Sequence, residues 1–296
     1  MDLGLTLGVL RRGSGDPTYR VTADGSVWRA SRTPAGPGTI RLRVSRSEGA
    51  VHGEAWGDGA EWLLDRMPAL LGADDDPAGF DPSAHSFLRD AHRRHPDLRI
   101  GRTGLVLESL IPAILEQKVT TTEAYRGWRL LLRRYGTPAP GPAPDDAGPM
   151  RVAPRAREWA AIPSWEWHRA GVDAKRAGTV LRAVRLAPRL EEASALGPAE
   201  AAARLSSVPG IGPWTVAETV QRSNGDADAV SVGDLHLPNT VGWNLAGRER
   251  TDDAGMLALL APYAGHRHRV CRLILLHGRA APRRGPRFAP RDFRAF

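Results

Sequence analysis

The chain has 296 residues, of which 42% are hydrophobic and 25% are charged, and its formal net charge is +8. Its single cysteine, Cys271, excludes an internal disulfide and a four-cysteine zinc or iron–sulfur site. Nearly all the positive charge is arginine, which indicates either a nucleic-acid-binding surface or the composition of a GC-rich genome. Because we find no signal peptide and no apolar run that could span a bilayer, we expect a soluble, cytoplasmic monomer without membrane contact.

Residues 1–80 are predicted to form a small β-rich domain. Two segments alternate apolar and polar residues, as strands with one buried face do: TYRVTADGSVWRA and GTIRLRVSRSEGAVHGEAWG. Asp24-Gly25 and Glu48-Gly49 supply turns between antiparallel strands. A single helix is predicted in GAEWLLDRMPALLG, and the break at GADDDPAGFDP closes the domain.

Residues 81–278 are predicted to be helical. The helical segments are PSAHSFLRDAHRR, VLESLIPAILEQ, TTTEAYRGWRLLLRRYG, SWEWHRAG, DAKRAGTVLRAVRLA, GPAEAAARLSSV, DDAGMLALLAPYAG and HRVCRLILLHG. Threonine caps open the third segment, and Gly136 ends it. Residues 136–149 are rich in proline and glycine and predict a loop. Residues 279–296 form a basic tail, which is either ordered in part or solvated and disordered.

The stretch LSSVPGIGPWTVAETV, residues 205–220, predicts two helices joined by a hairpin over residues 205–217. Pro209 and the glycine after it cannot continue the first helix. Pro213 suits the first turn of the second helix, where its missing N–H costs nothing.

The backbone N–H groups at the start of this second helix are candidate DNA ligands. They belong to Gly210, Ile211, Gly212 and Thr215. A cluster of such donors at a helix start binds an anion, and a DNA phosphate fits it without reading base sequence. The alternative interpretation is an ordinary turn between two packed helices.

The loop that follows, residues 226–239, contains an aspartate at a fixed distance from the hairpin. Asp234 lies twenty residues beyond Trp214 (234 − 214), within the segment DADAVSVGDLHLPN. By itself Asp234 predicts a helix N-cap ahead of LHLPNTVGW. Asp226 and Asp228 are predicted to be turn residues that shape the loop.

The hairpin and the aspartate together resemble the helix-hairpin-helix (HhH-GPD) DNA glycosylase superfamily. The segments LESLIPAILEQKVTTTEAYRGWRLLLRRYG and GVDAKRAGTVLRAVR are similar to other parts of that family, and the β-rich N-terminus makes 3-methyladenine DNA glycosylase II the most similar group. The resemblance implies a mainly α, two-lobed helical fold with a small N-terminal antiparallel β-rich (α+β) domain. It also implies that Asp234 is the catalytic carboxylate, at the mouth of a pocket between the two lobes.

The resemblance implies roles for four further side chains. Gln117 is implied to contact the substrate region, and Lys118 stands at the DNA wedge position, where family members usually carry an apolar or amide residue. Trp214 stands where bifunctional members carry their Schiff-base lysine, and it lines the base pocket unless it is a core tryptophan. Glu218 replaces an aromatic residue of the pocket, and it either contacts a cationic base or pairs with an arginine.

The resemblance also implies a structural Na⁺ or K⁺ ion at the hairpin, held by the main-chain carbonyls of Ser206, Val208 and Ile211. No cofactor is expected to be required, and no iron–sulfur cluster is expected because the cysteines for one are missing.

These features predict a monofunctional DNA glycosylase of base excision repair. It is expected to bind double-stranded DNA in the nucleoid, to flip an alkylated purine of the 3-methyladenine or 7-methylguanine type, and to leave an abasic site. One alternative is a non-catalytic DNA-binding protein that uses the hairpin alone, although such a protein has no need of a carboxylate facing phosphates. Another alternative is a glycosylase for bulkier lesions.

Overall fold

The computed structural model describes residues 1–144 and 148–282, and its first large feature is a four-stranded antiparallel sheet. The strands are β1 (Tyr19–Val21), β2 (Val27–Thr33), β3 (Gly36–Ser45) and β4 (Ala50–Trp56), in the spatial order β1-β2-β3-β4. Both predicted turns contain a glycine in the left-handed region, since φ is 79° at Gly25 and 64° at Gly49. The register sets Val27 opposite Leu42, and both side chains are buried.

The prediction of a single helix after the sheet is wrong, because the structure has two short helices there. α1 (Leu3–Leu7) precedes the sheet, and the divided segment forms α2 (Ala60–Asp65) and α3 (Met67–Leu70). Pro68 lies in the first turn of α3. Proline has no N–H to donate and its ring clashes with the carbonyl four residues earlier, which disfavours one continuous helix here, although the helix Val106–Leu115 continues through Pro112.

Twelve further α-helices are described. They are α4 (Ser86–Arg94), α5 (Val106–Leu115), α6 (Thr121–Tyr135), α7 (Ala156–Ala160), α8 (Ser164–Arg169), α9 (Ala174–Arg185), α10 (Ala187–Glu191), α11 (Pro198–Ser206), α12 (Pro213–Ser223), α13 (Leu237–Ala246), α14 (Asp253–Leu260) and α15 (Arg267–His277). The predicted cap of α6 is confirmed: Thr120 and Glu123 form a reciprocal capping box, and Gly136 follows the last residue.

The described residues form four buried hydrophobic clusters, and the three largest organise the molecule. The N-terminal core joins α1, α2 and α3 to one face of the sheet. The first helical lobe is built around α5, α6, α9, α11 and α12. The second lobe is built around α4, α13, α14 and α15. This arrangement confirms the predicted fold class, a mainly α, two-lobed architecture with a small N-terminal β region.

Two predicted segments fall partly outside the described residues. The Pro/Gly-rich loop is closed by a short ladder between β5 (Thr137–Pro138) and β6 (Arg151–Val152), and residues 145–147 within it are not described. Of the predicted basic tail, residues 283–296 are likewise outside the described part. In the described part, no helix has the length and apolarity that crossing a membrane requires.

Candidate active site

The hairpin between α11 and α12 has the backbone that its two glycines predict. Gly210 has a φ of 97°, and a Cβ added there would lie 2.5 Å from the hydroxyl oxygen of Thr179. Gly212 precedes α12 with extended backbone, and a Cβ there would meet nothing within 4 Å. Glycine is therefore required at position 210 by conformation and packing, whereas Gly212 leaves an open face that a phosphate can approach.

Side chains from two other helical segments hold the hairpin in place. Arg182 of α9 donates from Nε to the carbonyl of Pro209 at 2.9 Å. The carboxamide nitrogen of Gln117 donates to the carbonyl of Gly210 at 2.9 Å and to the hydroxyl of Thr215 at 2.8 Å. Gln117 thus ties the turn after α5 to the hairpin, and its implied contact with substrate stays a prediction.

Lys118, the residue implied to be the wedge, follows Gln117 in an unusual conformation. Its φ is 55°, the only positive φ of a non-glycine residue in the described chain, and its side chain is exposed. Only a few per cent of non-glycine residues adopt such a φ. The chain therefore turns sharply at Lys118, directly after the residue that contacts the hairpin. Whether Lys118 enters a DNA gap stays a prediction.

The prediction that Ile211 donates its N–H to DNA needs correction. This N–H donates to the carbonyl of Val208 at 3.0 Å and closes the turn, so it is not free for a phosphate. The carbonyl oxygen of Val208 has a second lone pair. The monovalent-cation site at the carbonyls of Ser206, Val208 and Ile211 stays a prediction.

Asp234 is held by three hydrogen bonds from two segments of the chain. Its Oδ1 accepts from the backbone N–H groups of His236 and Leu237, each at 2.8 Å, so the side chain caps the turn that leads into α13. The predicted N-cap position needs correction, because the helix begins at Leu237 and its N-cap residue is His236. Its Oδ2 accepts from the indole Nε1 of Trp214 at 3.0 Å. Trp214 lies in the first turn of α12, so this helix and the loop of residues 226–239 meet at the carboxylate of Asp234.

The loop before Asp234 is fixed by the aspartates predicted to shape it. Asp226 accepts from the backbone N–H groups of Asp228 and Ala229 at 2.8 and 3.0 Å. Asp228 accepts from the side chain and the backbone N–H of Arg267, at the start of α15. Partial burial raises the pKa of Asp228, but the hydrogen bonds and the charge of Arg267 outweigh it, so the net pKa is lowered.

A cavity of about 420 Å³ opens beside Asp234, between the two helical lobes. Its lining comes from α1, α12, α13, α15 and the loop to Asp234: Gly4, Gly8, Val9, Ile100, Gly101, Glu218, Gln221, Arg222, Ala229, Ser231, Asp234, His236, Leu237, Thr240, His268, Cys271, Arg272, Leu275 and Leu276. Neither Trp214 nor any Tyr or Phe is among these described lining residues. A pocket-lining role for Trp214 stays a prediction, since the contact that the structure gives it is with Asp234.

Glu218 lines the cavity and also pairs with an arginine, so both interpretations of this residue hold geometrically. One carboxylate oxygen accepts from Arg222 at 2.8 Å, and the other accepts from the hydroxyl of Ser231 at 2.5 Å. Gln221 donates to the same hydroxyl oxygen at 3.0 Å. This network joins α12 to the loop that carries Asp234.

Three lining residues of α15 were not identified as site residues from the sequence. They are His268, Cys271 and Arg272, all buried. Burial lowers the pKa of His268 well below its usual range, and the charges of Arg272 and Arg222 lower it further, so the imidazole is neutral near pH 7. Burial raises the pKa of Cys271 to about 12, so its thiol is not a thiolate nucleophile.

On the glycosylase hypothesis that the sequence resemblance implies, replacing Trp214 by Phe is expected to slow base release without unfolding the protein. The variant keeps an aromatic ring but loses the N–H that orients Oδ2 of Asp234. Losing a hydrogen bond to a charged group costs about 1.5–3 kcal/mol, which predicts a rate reduction of roughly 10- to 100-fold. Single-turnover kinetics on methylated duplex DNA measure this effect. A Trp165→Phe variant is the control, since Trp165 is 65% exposed, and a rate for Trp214→Phe equal to that of the control would contradict the assigned contact.

Replacing Gly210 by Ala is expected to distort the hairpin and to weaken DNA binding. The alanine must keep the φ of 97°, and its Cβ would lie 2.5 Å from the hydroxyl oxygen of Thr179. We expect a loss of about 1–3 kcal/mol in the free energy of unfolding. Urea denaturation and DNA-binding anisotropy measure the two effects. Gly197→Ala is the matched control, since a Cβ there meets nothing within 4 Å. Equal DNA affinity of the two variants would show that the hairpin does not hold DNA.

The fold is similar to that of solved DNA glycosylases. A 3-methyladenine DNA glycosylase from Archaeoglobus fulgidus matches with a TM-score of 0.75 and 17% identity, covering 94% of this chain and 95% of that one. An 8-oxoguanine glycosylase/lyase from Clostridium acetobutylicum, in complex with double-stranded DNA containing cytosine opposite 8-oxoG, matches with a TM-score of 0.68 and 12% identity over 92% of this chain and 91% of that one. The 3-methyladenine DNA glycosylase Mag1 of Schizosaccharomyces pombe, in complex with abasic DNA, matches with a TM-score of 0.54 and 18% identity, covering 70% of this chain and 96% of that one.

At these identities the similarity establishes the fold, which is that of the helix-hairpin-helix DNA glycosylases, as the sequence predicts. No protein-family model matches the sequence, and no curated protein matches it either.

Proposed function

We propose that the chain is a DNA glycosylase that hydrolyses the N-glycosidic bond of a damaged purine in double-stranded DNA. The observation that carries the proposal is the carboxylate of Asp234, held by Trp214 of the hairpin helix at the wall of a cavity between the two lobes. A protein that only binds the DNA backbone has no use for a fixed carboxylate there, because it repels phosphates.

In this mechanism the hairpin binds the DNA backbone while the damaged nucleotide rotates out of the duplex. The open face at Gly212 lets a phosphate approach the N-terminus of α12, where backbone N–H groups and the helix dipole favour an anion. Flipping costs a few kcal/mol, and contacts to the flanking phosphates offset part of this cost. The extruded base then enters the cavity, with its sugar beside Asp234.

Asp234 acts on the sugar in this proposal. Cleavage of the glycosidic bond leaves positive charge on C1′ and the ring oxygen of the deoxyribose, and a fixed carboxylate stabilises that charge. The same carboxylate orients the attacking water. An alkylated purine is a cationic leaving group that needs little acid assistance, so one carboxylate is sufficient.

The reaction is proposed to be monofunctional, leaving an unbroken strand with an abasic site. A Schiff-base mechanism needs a primary amine, and the chain contains only two lysines, Lys118 and Lys175. Trp214 occupies the position at which the resemblance implies a lysine in bifunctional enzymes. Lys118 adjoins the hairpin through Gln117, so it is the lysine that a test of this proposal must include.

A bulkier alkylated base is a second candidate substrate. Cavities of about 300–1,000 Å³ accommodate drug-sized ligands. The cavity beside Asp234 has about 420 Å³ and opens to solvent past the exposed side chains of Leu275 and Leu276. This volume favours a base that carries a substituent larger than a methyl group.

Product analysis tests the proposal. The wild-type protein is incubated with a methylated duplex, and free 3-methyladenine, free 7-methylguanine and abasic sites are quantified alongside strand length. We expect free base and abasic sites in equal amounts, with strands that break only after alkali. Breakage without alkali, or a borohydride-trapped adduct that is lost in Lys118→Arg, would show lyase activity. Binding without base release would favour the non-catalytic DNA-binding protein.

A further inference from the structure

Arg272 is a buried cation on the cavity wall with one hydrogen bond to the protein. It is 7% exposed, and its Nη2 donates to the carbonyl of Leu5 at 2.7 Å. Among the described residues no acidic side chain forms an ion pair with it. Arg269, one turn earlier on α15, is also buried but pairs with Asp75. The two neighbouring arginines are therefore built differently, since Arg269 has a carboxylate partner and Arg272, on the cavity wall, has none among the described residues.

A buried guanidinium with unused donors is stabilised by any ligand that offers acceptors. Arginine has five N–H donors, and a buried charge is costly unless it is paired. Burial and then the charge of Arg222 lower the pKa of Arg272 to about 10, so it stays protonated at pH 7 in an unfavourable environment. The cavity is the side from which an acceptor can reach it.

Glu218 provides a fixed acceptor in the same cavity. Its two oxygens already accept from Arg222 and Ser231, and Arg222 is itself held by the carbonyl of Val9 at 3.1 Å. A carboxylate has about four acceptor sites, so capacity remains for a ligand. Because both oxygens are tethered, the carboxylate cannot rotate away from a base that enters.

A base that satisfies both groups must offer an acceptor to Arg272 and donors to Glu218. A 6-oxopurine does so, since O6 accepts while N1–H and the 2-amino group donate, and arginine is the commonest partner of guanine O6. A 6-aminopurine has an acceptor at N1 but only one donor group, the 6-amino group, beside it, so it gives the carboxylate of Glu218 one donor where a 6-oxopurine gives two. No Trp, Tyr or Phe lines the described cavity, so ring stacking does not substitute for these hydrogen bonds.

We infer that Arg272 and Glu218 recognise the base, and that the preferred substrates are 6-oxopurines such as 7-alkylguanine rather than 6-aminopurines such as 3-methyladenine. The inference rests on the proposed glycosylase function and adds to it the class of base.

The test measures both bases released from one methylated duplex. The rate constant for 7-methylguanine and that for 3-methyladenine are each divided by the spontaneous rate without protein. Their ratio does not depend on the amount of folded protein or on DNA affinity. For the wild type we expect this ratio to favour 7-methylguanine by roughly 10-fold or more, since a good arginine–base contact discriminates by about 1–3 kcal/mol.

Substitution of Arg272 or Glu218 is expected to remove the preference for 7-methylguanine over 3-methyladenine. In Arg272→Met and Glu218→Gln the ratio should approach one, whereas Arg272→Lys should keep part of it through its charge. Arg93→Met is the control, because Arg93 is exposed on α4, pairs with Asp90 and does not line the cavity, and its ratio should equal that of the wild type. If the Arg272 variants do not fold, the wild-type ratio and the ratio of Glu218→Gln still test the inference.

Two results would overturn the inference. A wild-type ratio that favours 3-methyladenine, or a ratio that Arg272→Met and Glu218→Gln leave unchanged, would refute base reading by these residues while the glycosylase function stands. Release of neither base, with DNA binding intact, would overturn the inference and would also exclude methylated purines as substrates of the proposed glycosylase.

Discussion

Asp234→Asn is expected to reduce the single-turnover rate constant for base release by about 10³-fold or more, because the variant loses the negative charge that stabilises the oxocarbenium-like sugar. An isosteric amide keeps the side-chain oxygen that accepts from His236 and Leu237, so the start of α13 should remain folded. A reduction of this size corresponds to about 4 kcal/mol of transition-state stabilisation. Base release from methylated duplex DNA, with protein in excess, measures it.

Asp252→Asn is the matched control for this variant. Asp252 caps α14 through the backbone N–H of Gly255 at 2.8 Å, but it does not line the cavity. Its substitution therefore removes a capping carboxylate without touching the proposed chemistry. We expect near wild-type release from the control. Release by Asp234→Asn within 10-fold of the control would contradict the assigned role of the carboxylate.

Asp75→Ala is expected to cost about 3–5 kcal/mol in the free energy of unfolding, because it leaves the charge of Arg269 buried without a partner. The Asp75 and Arg269 side chains are 1% and 3% exposed, and a second oxygen of Asp75 accepts from the N–H of Ile100 at 3.0 Å. Ile100 and His268, the residue before Arg269, both line the cavity. The ion pair and the hydrogen bond to Ile100 thus connect two segments of the cavity lining, so any folded variant should also release base more slowly.

Urea denaturation measures this loss, and Asp90→Ala provides the comparison. Asp90 and Arg93 form an ion pair whose side chains are 53% and 76% exposed. An exposed pair contributes at most about 1 kcal/mol, so this variant should be nearly as stable as the wild type. If the two substitutions lower the free energy of unfolding by the same amount, the buried pair does not support the pocket.

Local sequence patterns predict most of the strands and helices, whereas the role of Asp234 is implied by the family resemblance that the hairpin and this aspartate carry together. Alternation of apolar residues with turn glycines predicts the four strands, and Thr120 with Glu123 predicts the start of α6. Asp234 could be found because its cap role and its spacing from Trp214 both depend on residues close in sequence. The break at Pro68 could also have been predicted, since an interior proline disfavours a helix, although α5 continues past Pro112.

The cavity wall could not be predicted, because it is assembled from segments far apart in the chain. Arg272 meets the carbonyl of Leu5 across 267 positions, and nothing in either local segment indicates this contact. Gln117 likewise meets the hairpin across 93 positions. In the sequence, the arginines of α15 are indistinguishable from solvated ones. Only the fold separates Arg269, which is paired, from Arg272, which faces the cavity.

The proposed catalysis depends on one electrostatic contact, in which the negative side chain of Asp234 lies beside a deoxyribose that becomes cationic. Its most direct test compares two duplexes, one with a cationic pyrrolidine in place of the damaged nucleotide's sugar and one with a neutral tetrahydrofuran. Transition-state analogues bind 10²-fold or more tightly than ground-state ligands, so the wild type should prefer the pyrrolidine duplex by about 10²-fold at equilibrium. Asp234→Asn should bind both duplexes alike. Equal affinity of the wild type for the two duplexes would contradict the proposal that Asp234 stabilises a cationic sugar.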